Sequence, residues 1–354
     1  MKLLEIQRYP QSRGVVTQLD KYGDVIGWIE GLRSRRYLSD LIEQFHSKNI
    51  TDRPEILARK VTPFVEAALN YIEQANNGPA QVAFLPLYYA MLNLAKIYVM
   101  LGPHRNELEN IRRYRQHGIA YNTADNDELR LDRQRVTLRQ YGVLGLFYRT
   151  LTGDNWVKSS KTITMMKVMQ YITQVAAEYR MVTGRENKSV PVHFESNEEA
   201  SDNWQLVCKI TEKATSLGEL PALKSGHWQA QQDGFASKHM TTYEGGCIEL
   251  ADCCIMRPLL YHGYLEYVQP IRQMLTVNAI PMSQGFPLMV EEFPIIVAFF
   301  YQGSIARYKP EFLYKQFDSK LWPLLVALRR HASYTFLLLF WHFMNQESVY
   351  LTST

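Results

Sequence analysis

The residues most able to do chemistry in this chain lie in "RRYRQHG", residues 112–118, where Arg112 stands five positions before His117. An imidazole titrates near neutrality, so it can take a proton from a hydroxyl nucleophile or return one to a leaving oxygen. A guanidinium carries a permanent charge in a fork that fits phosphate, and it can hold the charge that builds on phosphate oxygens in a transition state. Together they suit work on a phosphodiester. On an unbroken helix a five-residue offset would turn the two side chains about 140° apart. They can meet only if the helix ends close by, and Gly118 is a good residue to end it. A plainer reading stands beside this one, in which His117-Gly118 is a helix stop and nothing more. The motif is short, the chain has nine histidines, and a second match, Arg257 with His262 in "RPLLYH", occurs downstream.

Lys96 and Arg307 form a second candidate pair. Lys96 lies in "LPLYYAMLNLAKIYVMLG", residues 85–102, and Arg307 follows the apolar "PIIVAFFYQGSIA". A cation in apolar surroundings needs a partner. Either the two bind a phosphate or carboxylate of one ligand in a shared cavity, or each is tied to a backbone carbonyl or to an acid such as Glu291, Glu292 or Glu311. A third group, Arg113, Arg115, Arg130 and Arg133, continues to Arg135 and Arg139 in a basic stretch that could follow a nucleic-acid backbone. It is interleaved with Glu107, Glu109, Asp125, Asp127, Glu128 and Asp132, so a solvated helix face with internal ion pairs is the competing reading. The net charge of +4 does not by itself ask for a polyanion.

Other chemistries find little support. Cys208, Cys247, Cys253 and Cys254 are few for 354 residues and two are adjacent, which is not a secreted disulfide framework. Cys247, Cys253 and Cys254 with His239 and His262 do not make a compact zinc spacing, so no metal is expected. "TTYEGGCIE" lacks the Gly-Lys-Ser/Thr of a phosphate loop, and "YGVLGLF" lacks dinucleotide-fingerprint spacing. No nucleophile elbow and no His-Glu-x-x-His is present, and no cofactor is indicated.

These side chains must be carried by elements that the apolar pattern outlines. The first forty residues read as irregular, with "YGDVIGWIEG" an edge hairpin or a loop. From Tyr37 to Gly118 the pattern is helical. Ile56, Leu57, Val61, Phe64, Val65, Ala68, Leu69 and Ile72 recur at helical spacing, with Pro63 predicting a kink or two abutting helices. Residues 85–102 are apolar nearly all round, the mark of a helix buried between neighbours. Gly102-Pro103 starts a further helix that runs to Gly118. "KTITMMKVMQYITQVAAEYRMVTG" reads as one amphipathic helix whose Met165, Met166 and Met169 serve the core. Past Gly184 alternating apolar residues and turn formers predict strands and loops to about Pro287, after which strongly apolar helices return. The fold expected is α+β and predominantly helical: a helical domain over 1–185, a mixed strand and loop region over 186–288, and C-terminal helices over 289–354 that pack back on the first domain. The opening "MKLLEIQRYPQSRG" has no leader pattern, and "PIIVAFFYQG" and "YTFLLLFWHF" are shorter than a bilayer span, which predicts a cytoplasmic protein with no membrane partner.

"LPLYYAMLNLAKIYVMLG", "QHGIAYN", "GVLGLFYRTLTG" and "GSIARYKPEFLYKQF" resemble, in that order, the blocks of the YaaC-like family of bacterial proteins. Pro86, Tyr88, Tyr89, Leu94, Lys96, His117, Gly118, Gly145, Phe147, Ala306, Arg307 and Tyr308 carry the likeness, over about residues 60–155 and 285–345. The resemblance implies a cytosolic bacterial protein and no particular reaction. The Arg112–His117 spacing is also similar to the Arg-x4-6-His motif of HEPN-type ribonucleases, which implies metal-independent RNA cleavage in a toxin or antiviral context, with Arg112 and His117 catalytic and a homodimer completing the site. The alternative is a non-catalytic component of a multi-protein system, since Tyr, Met and Trp, suited to partner surfaces, are plentiful.

Overall fold

Helices that are apolar on one face, or on every face, must cover one another, and half of this chain is organised by that need. The structure, a computed structural model, describes residues 5–7, 11–17, 21–46, 52–108, 116–121, 129–152, 160–185, 189–200, 203–210, 228–231, 234–237, 247–249, 275–278 and 292–353. It divides into two units, residues 20–187 with 289–345, and residues 1–19 with 188–288 and 346–354.

The second of these is built from strands. β1 (Glu5–Gln7) runs parallel to β10 (Cys247–Glu249), and β2 (Gln11–Thr17) runs parallel to β12 (Glu347–Ser353), with Gln11 opposite Glu347 and Thr17 opposite Ser353. β6 (Ser189–Ala200), β7 (Asn203–Ile210), β8 (Trp228–Gln231), β9 (Gly234–Ser237) and β11 (Leu275–Asn278) form an antiparallel sheet of order β11-β6-β7-β9-β8. Cys253, Cys254, His239, Arg257 and His262 lie outside the described residues.

The other unit is helical around one small sheet. Its elements are α1 (Lys21–Gly31), α2 (Arg35–His46), α3 (Pro54–Asn77), α4 (Phe84–Leu101), the single turn α5 (Arg105–Leu108), β3 (Ile119–Tyr121), β4 (Arg135–Leu138), α6 (Val143–Thr152), β5 (Lys161–Thr164), α7 (Met165–Met169), α8 (Ala176–Thr183), α9 (Glu292–Tyr308), α10 (Pro310–Phe317), α11 (Trp322–Ala327) and α12 (Ser333–Asn345). The protein is thus α+β and predominantly helical. α4 is the axis of this unit, packed by α3, α9, α6 and α12. Only Leu85, Pro86, Tyr89 and Lys96 of α4 are not buried. By length and composition α4 is apolar enough to cross a membrane, with a mean hydropathy of 1.4 over 18 residues, longer than the apolar runs singled out in the sequence. Of that window 78% is buried by the surrounding protein, as in a core helix.

Several expectations are corrected here. "YGDVIGWIEG" is neither a hairpin nor a loop but most of α1: Val25 and Ile29 fall at helical spacing and are buried, while Trp28 stacks on Trp341 with centroids 5.0 Å apart. Of the two readings of Pro63, abutting helices are ruled out: α3 is one helix through it, with Pro63 on its exposed face, where the lost hydrogen bond is left to water. Ile56, counted with the apolar stripe, is 47% exposed. Residues 161–184 are not one helix. The β-branched Thr162-Ile163-Thr164 pairs with β4 in the order β3-β4-β5, and a helix starts only where the Thr164 hydroxyl accepts from the Lys167 N–H at 3.3 Å. The charged stretch is no continuous helix face either. Arg130 and Arg133 stand at a turn and Arg135 opens β4.

Candidate functional site

His117 is placed by two glycines. Gly118 has φ 84° and Gly142 has φ 130°, conformations that favour glycine. A Cβ on Gly142 would lie 2.3 Å from both the Cα and the N of Gly118, so the two backbones touch where only hydrogens fit. That contact seats residues 116–117 on the start of α6. The Val143 N–H donates to the Gln116 carbonyl at 3.0 Å, and the Leu144 N–H to the His117 carbonyl at 3.0 Å. Two of the donors that a helix start leaves open are thereby used. On the other side the Arg139 N–H donates to the Gly118 carbonyl at 2.9 Å, and the Arg139 guanidinium to Gln116 Oε1 at 3.0 Å. Gly118 is therefore not the helix stop expected: Gln116 and His117 just before it are not helical, and its φ turns the chain into β3.

From this perch the imidazole reaches α4. His117 Nδ1 lies 2.9 Å from Tyr88 Oη, and the ring stands edge-on to Tyr89 with centroids 6.0 Å apart. The third wall is α9. A Cβ on Gly303 would come within 3.0 Å of Leu85 Cα, so α9 crosses α4 at close range and brings Phe300, Ser304, Arg307 and Tyr308 to the same place. Between α4, β3 and the end of α9 is a pocket of about 370 Å³, within the range of small-ligand sites. Its lining holds His117, Tyr88, Tyr89, Tyr121, Ser304 and Arg307, and no carboxylate is among the described residues that line it.

The electrostatics follow from this placement. Burial lowers the pKa of His117, and the charges of Lys96 and then Arg307 lower it further, so the imidazole is neutral at neutral pH. Burial pushes the Tyr88 hydroxyl well above the ordinary tyrosine value, with Tyr89 adding to it. The pair is one hydrogen bond between neutral groups, and which of them donates sets the tautomer. Lys96 is half-buried, with its pKa lowered by burial. Its ammonium donates to Asn93 Oδ1 at 3.3 Å and lies 5.1 Å from the centre of the Phe64 ring. Arg307, expected in apolar surroundings, is exposed where α9 runs out into solvent, its guanidinium 5.1 Å from the Tyr308 ring.

A family model described as YaaC-like Protein matches residues 32–344, a span that holds every wall of this pocket. The chain belongs to the YaaC-like family. No curated protein and no solved structure matches the YaaC-like chain.

The remaining candidates of the YaaC-like chain fare differently. Arg112, Arg113 and Arg115 lie outside the described residues. Arg130 closes a two-pronged ion pair on Asp132, at 3.2 and 2.8 Å, which holds the Asp132 carboxyl below its usual pKa. Arg133 is exposed beside it. Arginines on either side of that stretch are likewise engaged, Arg149 with Glu107 at 2.8 Å and Arg105 with Asp52 at 3.5 Å. Sequence reasoning overlooked the aromatic part of the pocket. Tyr88, Tyr89 and Tyr308 stood in the blocks that carry the family likeness, yet nothing in their spacing linked them to a histidine 29 residues from Tyr88.

Proposed function

We propose that this YaaC-like protein binds a phosphate- or carboxylate-bearing ligand in the pocket between α4, β3 and α9. One observation carries the reading: Arg307 and His117, brought together from α9 and the turn into β3, line one pocket with no acid among its described lining residues, while Lys96 stands outside that lining with its charge lowering the pKa of His117. The two cations keep the imidazole neutral, and an anionic ligand would be drawn by the positive charge that stays uncompensated by any acid in the described lining. Arg307 at the open edge makes the first contact, the neutral imidazole adds a directed hydrogen bond, and Lys96 lends field from below. Calorimetric titration of the protein with inorganic phosphate and with citrate tests it. Arg307→Gln and Lys96→Gln should each weaken binding severalfold, while a flat titration with every anion in the wild-type protein would remove the reading.

A second reading, RNA cleavage, draws on the same imidazole. With Nδ1–H donating to the Tyr88 oxygen, Nε2 is the basic nitrogen. It would take the proton of a ribose 2′-hydroxyl as the 2′-oxygen bonds to phosphorus. The bond from phosphorus to the 5′-oxygen breaks, that oxygen takes a proton from water, and a 2′,3′-cyclic phosphate remains. Arg307 and Lys96 would offset the phosphate charge, with Arg112 joining them in the HEPN-like version. Cleavage of a labelled oligoribonucleotide in EDTA should vanish in His117→Ala while its far-ultraviolet circular dichroism spectrum stays that of the wild type, although the melting temperature falls because the buried Tyr88 hydroxyl loses its partner. Cleavage that persists in that variant would dispose of this chemistry.

A further inference from the structure

The anion reading leaves one wall of the pocket without a task. Tyr121, the last residue of β3, and Tyr308, the last residue of α9, face the pocket together. Their rings are nearly parallel, with planes 18° apart and centroids 6.4 Å apart. Aromatic rings that pack on each other have centroids about 4.5–7 Å apart, so this pair stands near the wide end of that range. A stacked base occupies about 3.4 Å along its stack. One flat ring between two others asks for about 6.8 Å between their planes; the tyrosine centroids are 6.4 Å apart with the planes tilted by 18°, so the Tyr308 ring must swing outward to open a slot of that width.

The two rings differ in how firmly they are held. Tyr121 is half-buried and packs on Tyr301, with centroids 5.6 Å apart. Tyr308 is 58% exposed at the tip of a helix, where its side chain can shift without disturbing the core. One ring is a fixed wall and the other a movable jaw. Arg307 precedes Tyr308 in sequence and lies against its ring, so the charge that would meet a phosphate sits next to the ring that would meet a base. His117 lies in the same pocket, two residues before Ile119, where the strand that carries Tyr121 begins.

We infer that the ligand is a nucleoside phosphate, its base held between Tyr121 and Tyr308 and its phosphate against Arg307 and His117. The inference rests on the anion reading above and adds the base. A free mononucleotide and a nucleotide within single-stranded RNA offer the same chemistry, because every base has a flat face and stacking is tolerant of sequence.

Calorimetry on the full chain separates these possibilities with four probes: inorganic phosphate, ribose 5-phosphate, the ribonucleoside monophosphates and a short single-stranded oligoribonucleotide. Nucleoside monophosphates should bind at least about fivefold more tightly than ribose 5-phosphate, the effect of adding one stacked base. Tyr308→Ala should weaken nucleotide binding by about five- to a hundredfold and leave ribose 5-phosphate unchanged. Tyr308→Phe, which keeps the ring, should bind as the wild type does. Arg307→Gln should weaken nucleotide and ribose 5-phosphate alike. Binding of the oligoribonucleotide alone, with the same Tyr308→Ala loss, supports the clamp with RNA as the source, and tighter binding of mononucleotides supports it with a free ligand. Equal affinity for ribose 5-phosphate and nucleotides, or no effect of Tyr308→Ala, overturns the base clamp and leaves the anion site standing. No binding of any phosphate-bearing probe overturns both.

Discussion

Alanine at Gly142 should be among the most damaging small changes in the helical unit, and its cost can be worked from the backbone. The position has φ 130°, which an L-residue rarely adopts. Holding alanine there costs about 1–3 kcal/mol. The new Cβ would also meet Gly118 at 2.3 Å, and the atoms it meets are backbone, which cannot rotate aside. Overpacking of this kind adds about 1–3 kcal/mol. The two effects together come to about 2–6 kcal/mol, against a whole stability of about 5–15 kcal/mol. Two other glycines are matched controls. Gly184 also has positive φ, 68°, but nothing lies within 4 Å of an added Cβ, so Gly184→Ala should cost only the left-handed backbone penalty, about 1–2 kcal/mol. Gly27 lies inside α1 with open space around it, so Gly27→Ala should stabilise by about 0.5–1 kcal/mol. Urea unfolding followed by far-ultraviolet circular dichroism ranks the three. If Gly142→Ala loses no more than Gly184→Ala, the backbone contact does not seat His117 and the account of the site is wrong. Ligand titration of the folded Gly142→Ala protein gives a second readout, since its imidazole should no longer meet Tyr88.

Two further outcomes follow from buried titrating groups. His46 is buried with its Nε2–H donating to the Met344 carbonyl at 3.0 Å, and burial lowers its pKa to about 4. Unfolded, it titrates near 6.5, so as pH falls from there the unfolded chain takes up a proton that the folded one refuses. Stability is full above pH 6.5, is lost as pH falls to about 4, and levels off below, where both states are protonated. At about 1.36 kcal/mol per pH unit the loss approaches about 3 kcal/mol, and the difference in stability curves between wild type and His46→Leu should show this drop. For His117, removing either cation favours the imidazolium, so its titration midpoint by NMR should move up in Lys96→Gln and in Arg307→Gln. A midpoint that stays put in both would mean that neither charge reaches the ring.

What the sequence disclosed tracks the strength of each local signal. α3, α4 and α9 were legible because long apolar patterns admit few alternatives, and the predominantly helical α+β class came with them. α1 was not, because Gly23, Gly27 and Gly31 punctuate it as they would a loop, while its burial depends on Trp341 and Phe340, more than 300 residues away. Residues 161–184 misled in the other direction: their apolar spacing fits a helix, but β4 offers Thr162-Ile163-Thr164 an edge, and pairing wins over pattern. At the site, His117, Lys96 and Arg307 were visible as polar residues in or beside apolar blocks. The contact of Gly118 with Gly142 and the facing rings of Tyr121 and Tyr308 were not, since each joins residues whose proximity only the fold creates.

The same fact bears on how the pocket works. Its walls meet at close backbone contacts, Gly118 against Gly142 and Gly303 against Leu85, as well as through side chains such as Tyr88 with Phe300 and Tyr121 with Tyr301. Side-chain packing can relax by rotamer changes, but a backbone contact closed to the width of a hydrogen has nowhere to go. The positions of α4, β3 and α9 around the cavity are therefore set before any ligand arrives. A site formed this way spends little of its binding energy on ordering itself, and that energy is left for recognition. The part that can still move is Tyr308, exposed at the tip of α9, together with the neighbouring Arg307. On the proposed reading, discrimination between ligands in this pocket falls to two adjacent residues, Arg307 for charge and Tyr308 for a flat ring.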